Sequence, residues 1–339
     1  MKPRDFLVCS HGRCFDGLAS AALFTHLARS IGGAAGGRGQ SFRYKSCGYG
    51  PGMQTIPEGW LDGEENAILD FRYTASKRVG FYFDHHITAF GSPAERDQAL
   101  AAHHDDGSRP QVHYDPTYGS CAKLIADRAR ERFGVDMSKH DELIRWADLI
   151  DSARFESAAA ATSADEPVLQ LAAVIEVHGD GPFYNAMAPR LLEEGLAAVC
   201  KSADVQAKWA PIRAQREAFL ERVRETAEVE GRVVVADLSS APADVGAKFV
   251  SYALYPETAY SVTLTRAKQH FKISVGHNPW SGQARTHDIS AICKRFGGGG
   301  HPAVGAFAYP LTQLEEARAA LVTVTRELNG GAPAEKDEP

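Results

Sequence analysis

"VGFYFDHH", residues 79–86, is an apolar run of β-formers that stops on an acidic side chain and two adjacent imidazoles. The run reads as a strand. Two histidines directly after an aspartate make poor turn chemistry and costly core chemistry, so metal ligation is the favoured reading of Asp84, His85 and His86. Two further runs repeat the pattern: "DFLVCS" (5–10) is followed by His11, Cys14 and Asp16, and "NAILDF" (66–71) carries Asp70 at its end.

Between the first two runs, "LASAALFTHLARSIGG" (18–33) has the spacing of an amphipathic helix closed by glycines. "CAKLIADRARERFG" (121–134) and "HDELIRWADLIDSA" (140–153) read as further helices, so the first half is expected to be an open, mostly parallel α/β sheet with covering helices. In such a sheet, ligands gather outside the carboxyl ends of the strands. If the strands are adjacent, their terminal carboxylates and imidazoles converge with Asp148 and Asp151 of "WADLIDSARF". That O/N donor mix suits Mn²⁺ or Mg²⁺, and histidine pulls the preference toward Mn²⁺. Two such ions ~4 Å apart, sharing one carboxylate, would activate water and neutralise a phosphoryl group.

Residues 186–228 turn helical and charged, with a proline to bend them, and form an expected helical connector. Beyond it, "GRVVVADLSS", "AYSVTLTRAKQHFKISVGHN" and "HDISAICKRFGGGGH" read as strands plus a helix, a smaller α+β domain. The expected boundaries are a metal-binding domain over 1–185, the connector over 186–228, a substrate-binding domain over 229–328 and a flexible tail over 329–339. Two domains agree with a length of 339 residues.

Composition narrows the class. A net charge of −6 gives no global attraction for long nucleic acid, so an anionic substrate must be met locally. The six cysteines form no CxxC pair and no finger spacing, which argues against a disulfide framework and a structural zinc site. With neither a membrane-length apolar run nor a signal-peptide pattern, the expected compartment is the cytoplasm and no membrane partner is expected. "HHDD" (103–106) reads as solvated loop. The run Gly297, Gly298, Gly299, Gly300 and His301 has two readings, a flexible link or a concave nest of N–H groups that holds an anion with His301 as an added donor, and the flanking elements favour the nest. Trp280 and Phe296 are either base-stacking platforms or core.

These residues carry a family resemblance. "FYFDHH" resembles the signature of the DHH phosphoesterase superfamily, and "FGGGGHPAVGAF" (296–307) resembles the glycine-rich motif of the DHH-associated C-terminal domain. "ILDF" is similar to that family's second motif and "IDSARF" to its fourth, so the resemblance spans residues 5–310. It implies two domains facing a cleft and a Mn²⁺-dependent phosphoesterase, similar to nanoRNase, bifunctional oligoribonuclease and phosphoadenosine-phosphate phosphatase proteins. The implied metal ligands are His11, Asp16, Asp70 as the bridging carboxylate, His85 and Asp151, with Asp148 a rival one helical turn earlier. His86 resembles the histidine beside the attacked phosphorus, and Asp84 orients a neighbouring imidazole.

One departure stands out. The first motif usually reads DxDG, whereas here it is Cys14, Phe15, Asp16 and Gly17. A cysteine ligand is softer than Mn²⁺ prefers and would favour Zn²⁺ or Fe²⁺, with Mg²⁺ also allowed at the centre; the other reading of Cys14 is a small buried residue. The expected reaction is hydrolysis of short oligonucleotides, dinucleotides or related nucleotide phosphates by metal-activated water. An exopolyphosphatase-like hydrolase and a non-catalytic nucleotide-binding protein are the alternatives, and a homodimer is allowed. His277, Arg285, Lys272 and Arg266 offer positive charge before the glycine run.

Overall fold

The computed structural model describes residues 3–34, 39–49, 55–104, 108–242 and 249–330, and the chain divides into two compact units. The first holds residues 1–154 and 165–209, and the second holds 155–164 and 210–339. Asp105, Asp106 and most of the expected tail lie outside the described residues. No described helix is long and apolar enough to cross a membrane.

The first unit is built on five parallel strands, β1 (Arg4–His11), β2 (Gln40–Cys47), β3 (Glu65–Leu69), β4 (Val79–Asp84) and β5 (Gln111–Tyr114), in the order β2-β1-β3-β4-β5. The three central strands are the three apolar runs of the sequence, and every residue of β3 and β4 is buried. The two edge strands carried no such signal. "QSFRYKSC" exposes alternate side chains and "QVHY" is four residues long, because an edge strand is only half covered.

Helix α1 (Phe15–Ala34) departs from the expected amphipathic helix, since Phe15–Thr25 is buried on every face. It lies against β1 and is enclosed by α3 (Cys121–Phe133), α4 (Asp141–Asp151) and α7 (Gly181–Glu193), while α2 (Pro93–Ala101) packs on β5. A helix enclosed on several sides needs small residues all round, which "LASAAL" supplies. The short α5 (Ala158–Ala161) belongs to the second unit; the chain then returns through α6 (Pro167–His178), α7 and α8 (Leu196–Cys200). It leaves along α9 (Ala203–Thr226), a single helix through Pro211 that carries the division between units at Trp209.

The second unit is a six-stranded mixed sheet in the order β10-β11-β9-β8-β7-β6. Its strands are β6 (Ala227–Glu230), β7 (Val233–Pro242), β8 (Tyr260–Arg266), β9 (His270–His277), β10 (Gly299–His301) and β11 (Val304–Pro310). Only β7 and β8 run parallel. Between strands lie α10 (Val250–Leu254) and α11 (Ile289–Arg295), and α12 (Leu314–Leu328) closes the described chain. The core joins Val262, Leu264, Ile273 and Val275 of the sheet to Ile292, Ala317, Leu321 and Val324 of the helices.

Candidate metal centre

The carboxyl ends of β1, β3 and β4 lie side by side. Each ends on a side chain that the sequence singled out. Asp70, the residue after β3, adopts a left-handed backbone with φ 55° and is 1% exposed. Backbone strain at such a residue costs roughly 1–3 kcal/mol and persists where function holds it.

Both carboxylate oxygens of Asp70 are buried without a hydrogen-bond partner. One oxygen lies 3.5 Å from His11 Nδ1, and the other lies 3.7 Å from His85 Nε2 and 3.5 Å from His86 Nδ1. These separations exceed hydrogen-bond lengths yet leave room for a cation between donor atoms. Three groups of candidate ligand atoms result: His11, Cys14 and Asp70; Asp16, His85 and Asp151; and Asp70, Asp84, His85 and His86. Asp70 thus presents one oxygen to the cysteine-containing group and the other to the His85 side.

Local structure fixes each member. His85 sets Nδ1 3.1 Å from the Tyr118 carbonyl, which makes Nδ1–H the donor there and turns Nε2, buried without a hydrogen-bond partner, toward the carboxylates. That Nε2 lies 3.3 Å from Asp151 and 3.8 Å from Asp16. Asp16 accepts the amides of Cys121 and Ala122 at 2.7 and 2.9 Å, the otherwise free N–H groups of the first turn of α3. Gly17 follows because a Cβ there would overlap the His11 carbonyl, so the tight join from β1 to α1 requires glycine.

Asp84 acts as a fixed cradle. Its Oδ1 accepts the His85 and His86 amides at 2.7 and 3.0 Å and His86 Nδ1–H at 2.8 Å, and its Oδ2 accepts the Tyr82 hydroxyl at 3.0 Å. His86 is the most exposed of the histidine rings here, at 39%. Its pKa is raised, chiefly by Asp84, with burial opposing.

The electrostatics call for positive charge. Burial, then Asp70 and Asp151, pushes the Asp16 carboxyl well up. Burial would lower the His85 imidazole, yet Asp151 and Asp70 drive it up to about 11. Burial would raise Asp70, but His11, His85 and His86 hold it down at about 2. Burial and the Asp70 carboxylate push the Cys14 thiol well up. Three clustered carboxylates around orphaned donor atoms fit divalent cations, which would relieve repulsion and complete the coordination.

Not every expected residue joins this cluster. Asp148 pairs with Arg154 at 2.5 Å and accepts from Ser120 at 3.3 Å, and it belongs to none of the three groups among the described residues. One turn on, Asp151 faces His85 instead. Cys14, by contrast, turns its sulfur toward His11 and Asp70.

The glycine run is an ordered hairpin, which corrects the flexible-link reading. Gly299, Gly300 and His301 form β10 against β11, while the Gly297 and Gly298 amides bond back to Lys294 and Cys293 at the end of α11. A Cβ at Gly298 or Gly300 would overlap the Ala306 or Val304 carbonyl, so the strands approach too closely for a side chain. This also narrows the nest: two of its expected amides are spent on the helix end. What remains is the outer edge of β10 with exposed His301, and Arg285 and His277 bond to Pro302 and Ala303 of the same turn. Trp280 donates to the Phe155 carbonyl at 2.7 Å, and Phe296 stacks on Phe307 at 4.6 Å, so both rings are engaged in packing. In "HHDD", His103 is half-buried and accepts the Val112 amide at 3.1 Å, in place of the solvated role expected.

Some contributors gave no sequence signal. Tyr82, the Tyr118 carbonyl and the amides opening α3 act only through tertiary placement. Tyr49 is another: its ring stacks on Phe71 at 4.4 Å, meets His11 edge-on at 5.5 Å, and is 53% exposed.

The sequence matches no family model and no curated protein. Solved structures do share the fold. The pGpG-specific phosphodiesterase PggH from Vibrio cholerae aligns over 97% of this chain and 100% of its own, at 19% identity and TM-score 0.66. A DHH domain from a member of a family of ribosomal proteins aligns over 95% and 86%, at 15% identity and TM-score 0.56. RecJ from Thermus thermophilus, in complex with Mn²⁺, aligns over 96% of this chain and 52% of its own, at 16% identity and TM-score 0.55. The chain therefore has the DHH-domain fold across nearly its full length.

Proposed function

We propose that this DHH-fold chain is a divalent-metal-dependent phosphoesterase that hydrolyses short oligonucleotides, with 5′-phosphorylated dinucleotides foremost. The observation that carries the reading is Asp70, a buried carboxylate with no hydrogen-bond partner that offers one oxygen to each of two donor groups. His11, Cys14 and Asp70 would hold one ion, and Asp16, His85, Asp151 and Asp70 the other. Divalent ions there supply neutralisation of phosphoryl charge and activation of water. RecJ, of the same fold, binds Mn²⁺, which makes Mn²⁺ the first ion to try.

The protein's own groups do the rest. Asp84 takes the Nδ1 proton of His86 in a hydrogen bond and raises its basicity, so Nε2–H is available to a phosphoryl oxygen or a leaving alkoxide. Tyr82 and the two amides fix that carboxylate, so His86 does not reorganise as charge develops.

Tyr49 favours a nucleotide over an inorganic chain, because an exposed aromatic beside His11 offers a stacking surface to a base. Stacking of one base contributes about 1–3 kcal/mol, so Tyr49→Ala should lower kcat/KM for a dinucleotide by about five- to a hundredfold. Hydrolysis of inorganic polyphosphate, assayed beside it, should be unchanged. Equal losses on both would remove Tyr49 from base recognition.

His301 is assigned to phosphate capture. Loss of one charge-assisted hydrogen bond of about 1.5–3 kcal/mol should reduce dinucleotide turnover about ten- to a hundredfold in His301→Ala. A small activated phosphodiester should lose much less. Steady-state kinetics on both compounds separates the roles, and no loss on either would leave β10 purely structural.

The test of the function itself is chelator-treated protein assayed with added Mn²⁺ on pGpG, the substrate named for PggH, and on polyphosphate. Mn²⁺-dependent release of mononucleotide is expected. Activity on polyphosphate alone would select the exopolyphosphatase reading, and metal binding without turnover of either would leave a nucleotide-binding protein.

A further inference from the structure

The two donor sets around Asp70 are chemically unequal. One is imidazole, thiol and carboxylate, from His11, Cys14 and Asp70. The other is imidazole with carboxylates alone, from Asp16, His85, Asp151 and the second Asp70 oxygen. The Cys14 sulfur does not stand by itself, because the Asp70 carboxylate aimed at the same point is 1% exposed and has no hydrogen-bond partner. We infer that Cys14 is a thiolate ligand and that the centre is heterodinuclear, with a borderline ion such as Zn²⁺, Fe²⁺ or Co²⁺ at the cysteine-containing position and a hard ion such as Mn²⁺ or Mg²⁺ at the other.

The chemistry follows from donor softness. Thiolate selects Zn²⁺ and other borderline or soft ions, whereas carboxylate-rich sites accept Mg²⁺ and Mn²⁺ readily. When the sulfur–metal bond forms at that position, the thiol releases its proton to solvent, and no oxidant is needed. Cys14 is well placed for this because it precedes α1, with its carbonyl accepting the Leu18 amide at 3.2 Å. Its backbone is therefore held by the helix start while the side chain faces His11 and Asp70. The other five cysteines are all buried and belong to none of the three ligand groups among the described residues.

The inference rests on the proposed metal centre, and the test separates the two. Full-length protein is stripped with chelator and titrated with Co²⁺, whose bond to thiolate gives a near-ultraviolet charge-transfer band. Wild type should bind two Co²⁺ and show the band, and Cys14→Ser should bind Co²⁺ without it. Serine is a favoured residue at a helix start, so this variant retains the fold. Adding one equivalent of Zn²⁺ to wild type loaded with excess Mn²⁺, followed by elemental analysis, should leave one of each, with the zinc bound to sulfur. In Cys14→Asp the preference for Zn²⁺ at that position should fall by about tenfold or more. Two Co²⁺ bound without the band, or a band that survives in Cys14→Ser, overturns the thiolate ligand and leaves the metal centre intact. No divalent ion bound at all overturns the metal-dependent reading on which both stand.

Discussion

Asp70→Asn should abolish turnover, with kcat/KM for a dinucleotide falling by about a thousandfold or more. Metal stabilisation of phosphoryl charge contributes several kcal/mol, and each 1.4 kcal/mol is tenfold in rate. The amide keeps the size of the carboxylate but removes the negative charge that faces both donor groups and puts an NH₂ where one lone pair stood. Bound metal, measured by elemental analysis, should fall in parallel with activity. The metal-free fold should also lose stability, because His11, His85 and His86 hold the Asp70 carboxyl down at about 2 and the neutral amide gives up those attractions. A melting temperature below that of the metal-free wild type, with metal and activity lost together, is the expected combination. Wild-type metal content in this variant would remove Asp70 from the bridging role.

Asp84→Ala should act through position. The substitution strands the Tyr82 hydroxyl, the His85 and His86 amides and His86 Nδ1, all of which Asp84 now satisfies. A buried group left without its partner costs roughly 1–3 kcal/mol, so the melting temperature should fall by several degrees. Turnover should fall about ten- to a hundredfold as His86 loses its fixed orientation, the range expected when an orienting partner is removed. Asp84→Asn should recover part of the stability, since its carbonyl oxygen accepts the same amides. It should recover less of the activity, because a neutral amide no longer raises the basicity of His86. Thermal melts and kinetics on both variants check this, and full activity in Asp84→Ala would remove Asp84 from the positioning of His86.

The sequence was most legible where burial and chemistry coincide. "VGFYFDHH", "DFLVCS" and "NAILD" are central strands covered on both faces, so their apolar letters had no polar alternation to dilute them, and each ends on a group of the cluster. Strands β2 and β5 were silent because the edges of the sheet need only half a strand's worth of apolar side chains. Asp148 and Asp151 were indistinguishable by spacing, three residues apart on one helix. What separates them is Arg154, which claims the first and leaves the second to His85. The glycine run left two readings for a related reason: four glycines permit mobility, but here they permit β10 to lie against β11 at a separation no side chain would allow. Cys14 had two readings, a softer metal ligand or a small buried residue. In three dimensions its sulfur lies with His11 and Asp70, as the ligand reading requires.

The most direct test of the dinuclear centre is anomalous diffraction from crystals of the full chain grown with Co²⁺, an ion that both donor sets accept. Two peaks are expected, one bonded by His11, Cys14 and Asp70 and the other by Asp16, His85, Asp151 and the second oxygen of Asp70. Absence of both peaks, or a cation elsewhere while the Asp70 oxygens find protein partners instead, would contradict the account.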